Sequence, residues 1–434
     1  MLRSTARQAA QRLFTMLVPV CLLFAAAAPA VAEEGEKRTD PLAAVFDAIV
    51  AGKPILDVNF RWEYAKADTF QHSHAATVRT RLGYQTKTFY GFSGLAEMVN
   101  TASPKPSGYF DGVENNDGPQ TLVADPTRTD VNRAWLKFAK DEWAGLDLKT
   151  GRQRIKLDDD RWIGNVGWRQ NEQTFDAARL QTSLGADDLV VQYIYAWQVN
   201  RIFGDKGPAN RQDYGPKSHW VNIAYDVNES LKAVGFYYRV SPNDNTFAAQ
   251  GSETYGTRLT GRVEVPGVEG LATLYQASYA YQRDAGRNPS DVDTHYLMGE
   301  LALDAKKVGQ IAIGYEELGS DQGAAVLVTP FATAHKFNGF ADVFLNNGGP
   351  RGLRDVYVSV APAIPLDGVK FKFIFHQFYD DTGGDNLGQE YDFVTSYQFN
   401  KYLGFLYKFG YFDGGKNRSP LNTTRSTLQT TFKF

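Results

Sequence analysis

Leu56 to Ala65 reads LDVNFRWEYA, and its period decides the fold. Leu56, Val58, Phe60, Trp62 and Tyr64 fall on one face, and Asp57, Asn59, Arg61 and Glu63 on the other. Side chains of an extended chain point alternately to opposite sides, so this is a strand with one apolar and one polar face. A soluble sandwich strand shows the same pattern, and one strand does not separate the two.

The pattern recurs along the chain. Tyr255, Thr257, Leu259, Gly261, Val263 and Val265 alternate with Arg258, Thr260, Arg262 and Glu264. Val369, Phe371, Phe373 and Phe375 alternate with Lys370, Lys372 and Ile374. Tyr391, Phe393, Thr395, Tyr397 and Phe399 alternate with Glu390, Asp392 and Ser396, and Leu403, Phe405, Tyr407, Phe409 and Tyr411 with Gly404, Lys408 and Gly410. One face is aromatic and the other mixes charged with small residues, as a lipid-facing exterior and a wet lumen require. The segments run to about 10–13 residues, the length of a tilted membrane strand rather than the ~5–6 of an ordinary soluble one.

The connections alternate short and long. Short ones lie at Gly185, Val227, Pro266 and Asp304; long ones span Thr101–Asp130, Leu157–Gln173, Arg201–Lys217 and Glu317–Gly352. Short periplasmic turns and long extracellular loops are the habit of outer-membrane barrels. The sequence therefore predicts an all-β transmembrane antiparallel up-and-down β-barrel of about eighteen strands. A closed barrel satisfies every backbone donor and acceptor in lipid and has no open edge.

The ends fit. Arg3, Arg7 and Arg12 precede an apolar run from Leu13 to Ala28 and a small-x-small site at Ala30–Ala32, which predicts a signal peptide over residues 1–32. Cys21, the only cysteine, lies inside it, so the mature chain has none. Residues 33–55 read as a short periplasmic segment with a helix over Asp40–Ala51, and 56–434 as the barrel. Leu428, Thr430, Phe432 and Phe434 alternate to the C-terminus; a last strand ending in an aromatic residue resembles the signal read by the outer-membrane assembly machinery. Without the three leader arginines the chain has 43 basic against 49 acidic residues, net −6, which argues against nucleic acid as a partner.

With the apolar face outward, the inward basic residues are Arg61, Arg79, Arg81, Lys87, Arg133, Lys137, Lys149, Arg179, Arg239, Arg258, Arg262, Lys370, Lys372 and Lys408. Inward acids include Asp57, Glu63, Glu97, Asp147, Glu264, Glu300, Glu316, Glu390 and Asp392. The remaining acid lies largely in loops, at Asp111, Asp117, Asp158 to Asp160, Asp244, Asp321 and Asp385. A cationic wall concentrates anions, and the guanidinium fork suits carboxylate and phosphate. The competing reading is that lumen cations and anions merely pair across strands.

No nucleotide, hydrolase, zinc or calcium motif is present, and no catalytic residue, metal site or cofactor is assigned. His72 and His74 read as an exposed loop pair, and Asp158 to Asp160 as a solvated loop rather than a cation site.

One connection is denser in polar and aromatic side chains than the others: GRQRIKLDDDRWIGNVGWRQNEQTFDA, Gly151 to Ala177. Arg161, Trp162, Asn165, Trp168, Arg169, Gln170 and Asn171 make it a candidate mouth loop. The tryptophans would wedge it into the entrance, and Asn165, Gln170 and Asn171 would pair its backbone. Arg161 and Arg169 would either bridge to Asp158–Asp160 or face the pore.

This stretch resembles the alginate-export (AlgE-like) family of outer-membrane barrels: Gly151-Arg152-Gln153 at a strand end, a Trp-containing loop, then Thr174-Phe175-Asp176 opening the next strand. The resemblance implies an eighteen-stranded monomeric barrel with an electropositive constriction that passes an anionic solute or polysaccharide, without enzymatic activity. The expected partners are outer-membrane lipid and lipopolysaccharide, the assembly machinery through Phe434, and the anionic cargo. The alternatives are a general diffusion porin of weak selectivity, and a sealed barrel enzyme or adhesin.

Overall fold

The computed structural model describes residues 41–113, 119–184, 188–345, 349–414 and 420–434. The predicted signal segment, the cap residue Asp40, Asp117 and the turn at Gly185 lie outside them. A helix covers Pro41–Val50, and β1 begins at Lys53, three residues before the expected start.

Eighteen strands make one antiparallel sheet. They are β1 (Lys53–Ala67), β2 (Ser73–Gln85), β3 (Phe92–Ala102), β4 (Arg128–Lys140), β5 (Leu146–Gln153), β6 (Thr174–Ser183), β7 (Leu189–Asn200), β8 (Ser218–Asn228), β9 (Leu231–Val240), β10 (Ser252–Glu264), β11 (Leu271–Asp284), β12 (Asp293–Ala305), β13 (Gly309–Leu318), β16 (Leu353–Pro362), β17 (Val369–Tyr379), β18 (Asn386–Gln398), β19 (Leu403–Asp413) and β20 (Thr423–Lys433). A two-residue hairpin, β14 (Ser320–Asp321) with β15 (Ala325–Val326), sits in the longest connection. Each barrel strand pairs with the next, and β20 returns to β1 with Phe60 opposite Thr430, which closes the barrel.

The alternation has its predicted consequence. In β1, Phe60 is 52% exposed while Asn59, Arg61 and Glu63 are buried within the barrel. Leu259, Leu301, Ile313, Phe373 and Leu428 continue the exposed apolar face around the wall. That outer belt gives a direct test: Leu301→Arg, placed in lipid, is expected to destabilise the folded barrel by about 2–4 kcal/mol. Urea titration of vesicle-inserted protein, followed by heat-modifiable gel mobility, measures it; an unchanged midpoint would argue against a lipid-facing Leu301.

The other face is not uniformly polar. At the long-loop ends of β6, β8, β9, β12, β13, β16, β17 and β19, the inward side chains include Phe175, Trp220, Phe236, Tyr296, Leu318, Leu353, Phe378 and Phe412, all buried. They need an apolar cover, and the long connections supply it.

Candidate functional site

Three long connections, 103–127, 154–173 and 319–352, send side chains inside the barrel. Ile155, Leu157, Trp162 and Ile163 from the second, and Leu327, Phe331 and Phe344 from the third, join the inward wall residues in one buried cluster. Trp162 packs on Phe236 and Tyr296, at centroid distances of 5.8 and 5.4 Å. Phe331 meets Phe175 and Trp220, each at 5.5 Å. Burying an aromatic side chain of this size contributes roughly 1.5–3 kcal/mol, so these contacts hold both loops in place.

The loops meet around a buried ionic group. Arg169 Nη1 is 3.0 Å from Glu63, and its Nη2 is 2.6 Å from Asp342. Arg425 of β20 reaches the same Glu63 at 2.8 Å and donates to the Ala341 carbonyl at 2.9 Å. Arg61 of β1 is 3.2 Å from Asp125 of the first loop and donates to the Trp168 carbonyl. Gln170 N donates to the other oxygen of Asp125 at 2.7 Å. Two wall strands and three loops are thus joined through three carboxylates. Burial opposes ionisation at Asp342, and His335, Arg425 and Arg169 overcome it, holding its carboxyl below the usual range.

Trp168 lies within this group. Its ring stacks on His335 at 4.4 Å and 7°, with the Arg61 guanidinium 4.3 Å and the Lys408 ammonium 4.1 Å from its centroid. Ring quadrupoles attract such cations, by about 2 kcal/mol or more when water is excluded. His335 Nδ1 is 2.5 Å from Asp342, and its Nε2 is 3.1 Å from Lys408 Nζ. A neutral ring with its proton on Nδ1 donates to the carboxylate and accepts from the ammonium, which fits both partners. Burial lowers the His335 pKa to about 4, with Lys408 and Arg169 acting in the same direction against Asp342.

Two further ties fix the loops. Arg161 Nε is 2.9 Å from Glu316, while Asn338 Nδ2 donates to Glu316 at 2.7 Å and to Asp355 at 3.1 Å. Phe340 N and Ala341 N donate to Asp392 and Glu390 at 3.0 and 2.6 Å. Gly339, with φ +89°, approaches Glu390 so closely that a Cβ would lie 2.3 Å from its carboxyl carbon. On the other side, Glu172 is 2.5 Å from Arg154 and 3.4 Å from Arg81 and accepts from Asn132 and Asn165. Burial raises its pKa, but the two arginines outweigh it and bring the value to about 2. The inward loops also hold positive φ at Asp158, Asp160, Val166, Asn338 and Asp342. For β-branched Val166 this conformation is strained, which the surrounding contacts must over-determine.

The predicted loop residues come together, with different partners from those expected. Arg161 and Arg169 pair with Glu316, Glu63 and Asp342 rather than with Asp158–Asp160. Those acids instead meet Asn222 (Asp158, 2.9 Å), Arg258 (Asp159), and Lys156 and Lys336 (Asp160, 3.2 and 3.6 Å). Asn171 Nδ2 donates to the Pro126 carbonyl and Gln170 Nε2 to Thr77 Oγ1, at 2.7 and 2.9 Å, tying the loop to a neighbouring loop and to β2 rather than to its own backbone. Sequence reasoning missed Asp125, His335 and Asp342, because their connections carry no periodic pattern, and Arg425, because it stands in the all-polar first half of β20, where no apolar face sets the direction.

Two residues placed on the lumen wall stand elsewhere. Arg239 is on the outer face, between Glu253 of β10 and His219 of β8. The run Phe236-Tyr237-Tyr238 is apolar on both faces, so its alternation carries no direction. Lys87 lies in the turn between β2 and β3, not on a strand.

Arg61, Arg79, Arg81, Lys149, Arg179, Arg258, Arg262, Lys370, Lys372 and Lys408 take inward strand positions, as do Glu63, Glu97, Glu300 and Asp392. Many are paired: Arg79 with Asp57 at 2.6 Å, Arg179 with Asp147 at 3.1 Å, Arg133 with Glu97 at 2.5 Å, and Arg262 with Asp304 at 2.8 Å. Glu300 accepts from Gln276 and Tyr357. Among the described residues, Lys149, Lys370 and Lys372 have no carboxylate partner. Among the described residues, the buried Nε atoms of Arg79, Arg81 and Arg179 have no hydrogen-bond acceptor, while Arg81 Nη2 lies 3.4 Å from Glu172.

The comparisons with known proteins agree with this architecture. The alginate-export family model matches residues 92–283. No curated protein matches the sequence. Acinetobacter baumannii OccAB4 superposes with a TM-score of 0.67 at 13% identity, covering 88% of this chain and 98% of that one. Pseudomonas aeruginosa OccK3 (OpdO) gives 0.66 at 12% identity over 91% and 98%, and OccK8 (OprE) gives 0.65 at 14% over 89% and 98%. At such identities the superpositions speak to fold alone. Residues 92–283 are thus similar to the alginate-export family, and the chain as a whole folds as a closed eighteen-stranded antiparallel barrel like those of the superposed structures.

Proposed function

We propose that this barrel is a passive channel for anionic solutes or an anionic polysaccharide, with its long loops at the cell exterior and its short turns and N-terminal helix in the periplasm. The observation that carries the reading is a set of inward-facing lysines, Lys149 of β5 and Lys370 and Lys372 of β17, that have no carboxylate partner among the described residues. A carboxylate passing along this wall meets ammonium donors that no fixed carboxylate neutralises, which offset part of the hydration it gives up. The inward loops narrow the route and confine the solute against the wall.

Wall pairs such as Arg79–Asp57 and Arg262–Asp304 favour the second reading, a general porin whose charges cancel. Planar-bilayer recording separates the two. Under a potassium chloride gradient the expected reversal potential has the sign of anion preference, and alginate reduces the current where a neutral dextran of equal size does not. Cation preference would overturn the anion reading, and absence of conductance would overturn the channel.

A further inference from the structure

The outward position of Arg239 points to a second, different site. Arg239, Glu253 and Arg283 are direct cross-strand neighbours on β9, β10 and β11. All three lie on the lipid-facing side, in register with exposed Tyr255 and Leu259 further along β10. The row two residues closer to the membrane centre is Tyr237, Tyr255 and Tyr281. A tyrosine row on the outer wall of a barrel marks the boundary between hydrocarbon and headgroups. The Arg-Glu-Arg row therefore stands about 6–7 Å further out, at headgroup level.

Its geometry is that of a prepared anion site. Glu253 is largely buried beneath the two arginines. It accepts from Arg239 Nη1 at 2.7 Å, Arg283 Nε at 2.9 Å and Nη2 at 2.6 Å, and the Tyr237 and Tyr255 hydroxyls at 3.2 and 3.0 Å. The carboxylate is thus fully used in orienting its neighbours. The arginines remain 44% and 54% exposed, and among the described residues no acceptor is bound to Arg239 Nη2 or Arg283 Nη1. Asp293 of β12 stands opposite Arg283 in the same outward row, so the formal charges of the row balance; what the arginines present outward is a free guanidinium edge each, the geometry that matches phosphate oxygens.

We propose that Arg239 and Arg283 bind a phosphoryl group on the headgroup of an outer-leaflet lipid. The assignment rests on the membrane-barrel reading and is independent of the lumen. The test is native mass spectrometry of the full-length, detergent-solubilised protein titrated with a diphosphorylated disaccharide glycolipid (lipid A), its dephosphorylated form, and dioleoylphosphatidic acid. Wild type is expected to retain the phosphorylated glycolipid at least about tenfold better than R239Q/R283Q, and the dephosphorylated form poorly. Equal retention of phosphatidic acid would assign a phospholipid as the source, and its weak retention a glycolipid. R239K/R283K should keep part of the binding. Equal retention by wild type and R239Q/R283Q, or no preference for the phosphorylated form, would overturn the site. Bilayer conductance of R239Q/R283Q should match wild type; failure of wild type itself to insert and conduct would overturn the barrel reading and this site with it.

Discussion

Glu63→Ala is expected to release the inward loops and raise single-channel conductance several-fold, while the barrel stays assembled. Glu63 is buried and receives both Arg169 of the mouth loop and Arg425 of β20. Its removal leaves two guanidinium groups sharing Asp342, and breaking one side of a buried pair costs about 3–5 kcal/mol. That is comparable to the apolar contribution of two aromatic anchors such as Trp162 and Phe331. The loss falls on the loops, because the strands are held by their own ladder from β1 round to β20. Glu63→Gln, which keeps the shape and one acceptor oxygen, should open the channel less. A double-mutant cycle with Arg169→Met measures the coupling directly. Additive effects on conductance and melting would mean that the pair does not latch the loop. Trp168→Ala should act in the same direction but more weakly, because Arg169 remains paired.

Acidification from pH 6.5 to 4 is expected to loosen the same loops. In the released state His335 meets water and titrates at its ordinary 6.5; in the packed state burial lowers it to about 4. Between these values the released state binds more protons, so the packed state loses stability as pH falls, with no further loss from this group below about 4. The interval corresponds to roughly 3 kcal/mol at most. The structural reason is that Nε2 of His335 faces the Lys408 ammonium, so a second ring proton meets a like charge. Glu172 gives a separate, lower window, because its carboxyl is depressed to about 2 and its stabilising effect, complete above about 4.5, is lost only below that. Conductance recorded across pH 7 to 4 should therefore rise, and His335→Gln should flatten the profile above pH 4.5. An unchanged profile in His335→Gln would remove His335 from the latch.

Much of this was legible in the sequence because a lipid-facing wall imposes a period of two. Phe60 and Trp62 against Arg61 and Glu63 gave the direction of β1 correctly, and the long and short connections gave the topology. Legibility failed where both faces of a strand are apolar. Around Phe236-Tyr237-Tyr238 the inner face is covered by Trp162 of a loop, so the contrast that sets direction disappears and Arg239 was assigned to the wrong side. The doubled apolar runs at the long-loop ends were themselves the available sign that something fills the lumen there.

The mouth loop shows the division most clearly. Its composition marked Arg161, Trp162, Trp168 and Arg169 as worth attention, and its spacing placed them between β5 and β6. Their partners lie far away in sequence, Glu63 106 residues from Arg169 and Asp342 173 residues away. Local alternation is fixed by whether each side chain meets lipid or water, so the sequence by itself determined the strands, their order and most of their inward faces. Which carboxylate meets which arginine depends on how three irregular loops pack against one another inside a closed wall. Only the tertiary structure decided that, because a loop has no period from which its direction can be read.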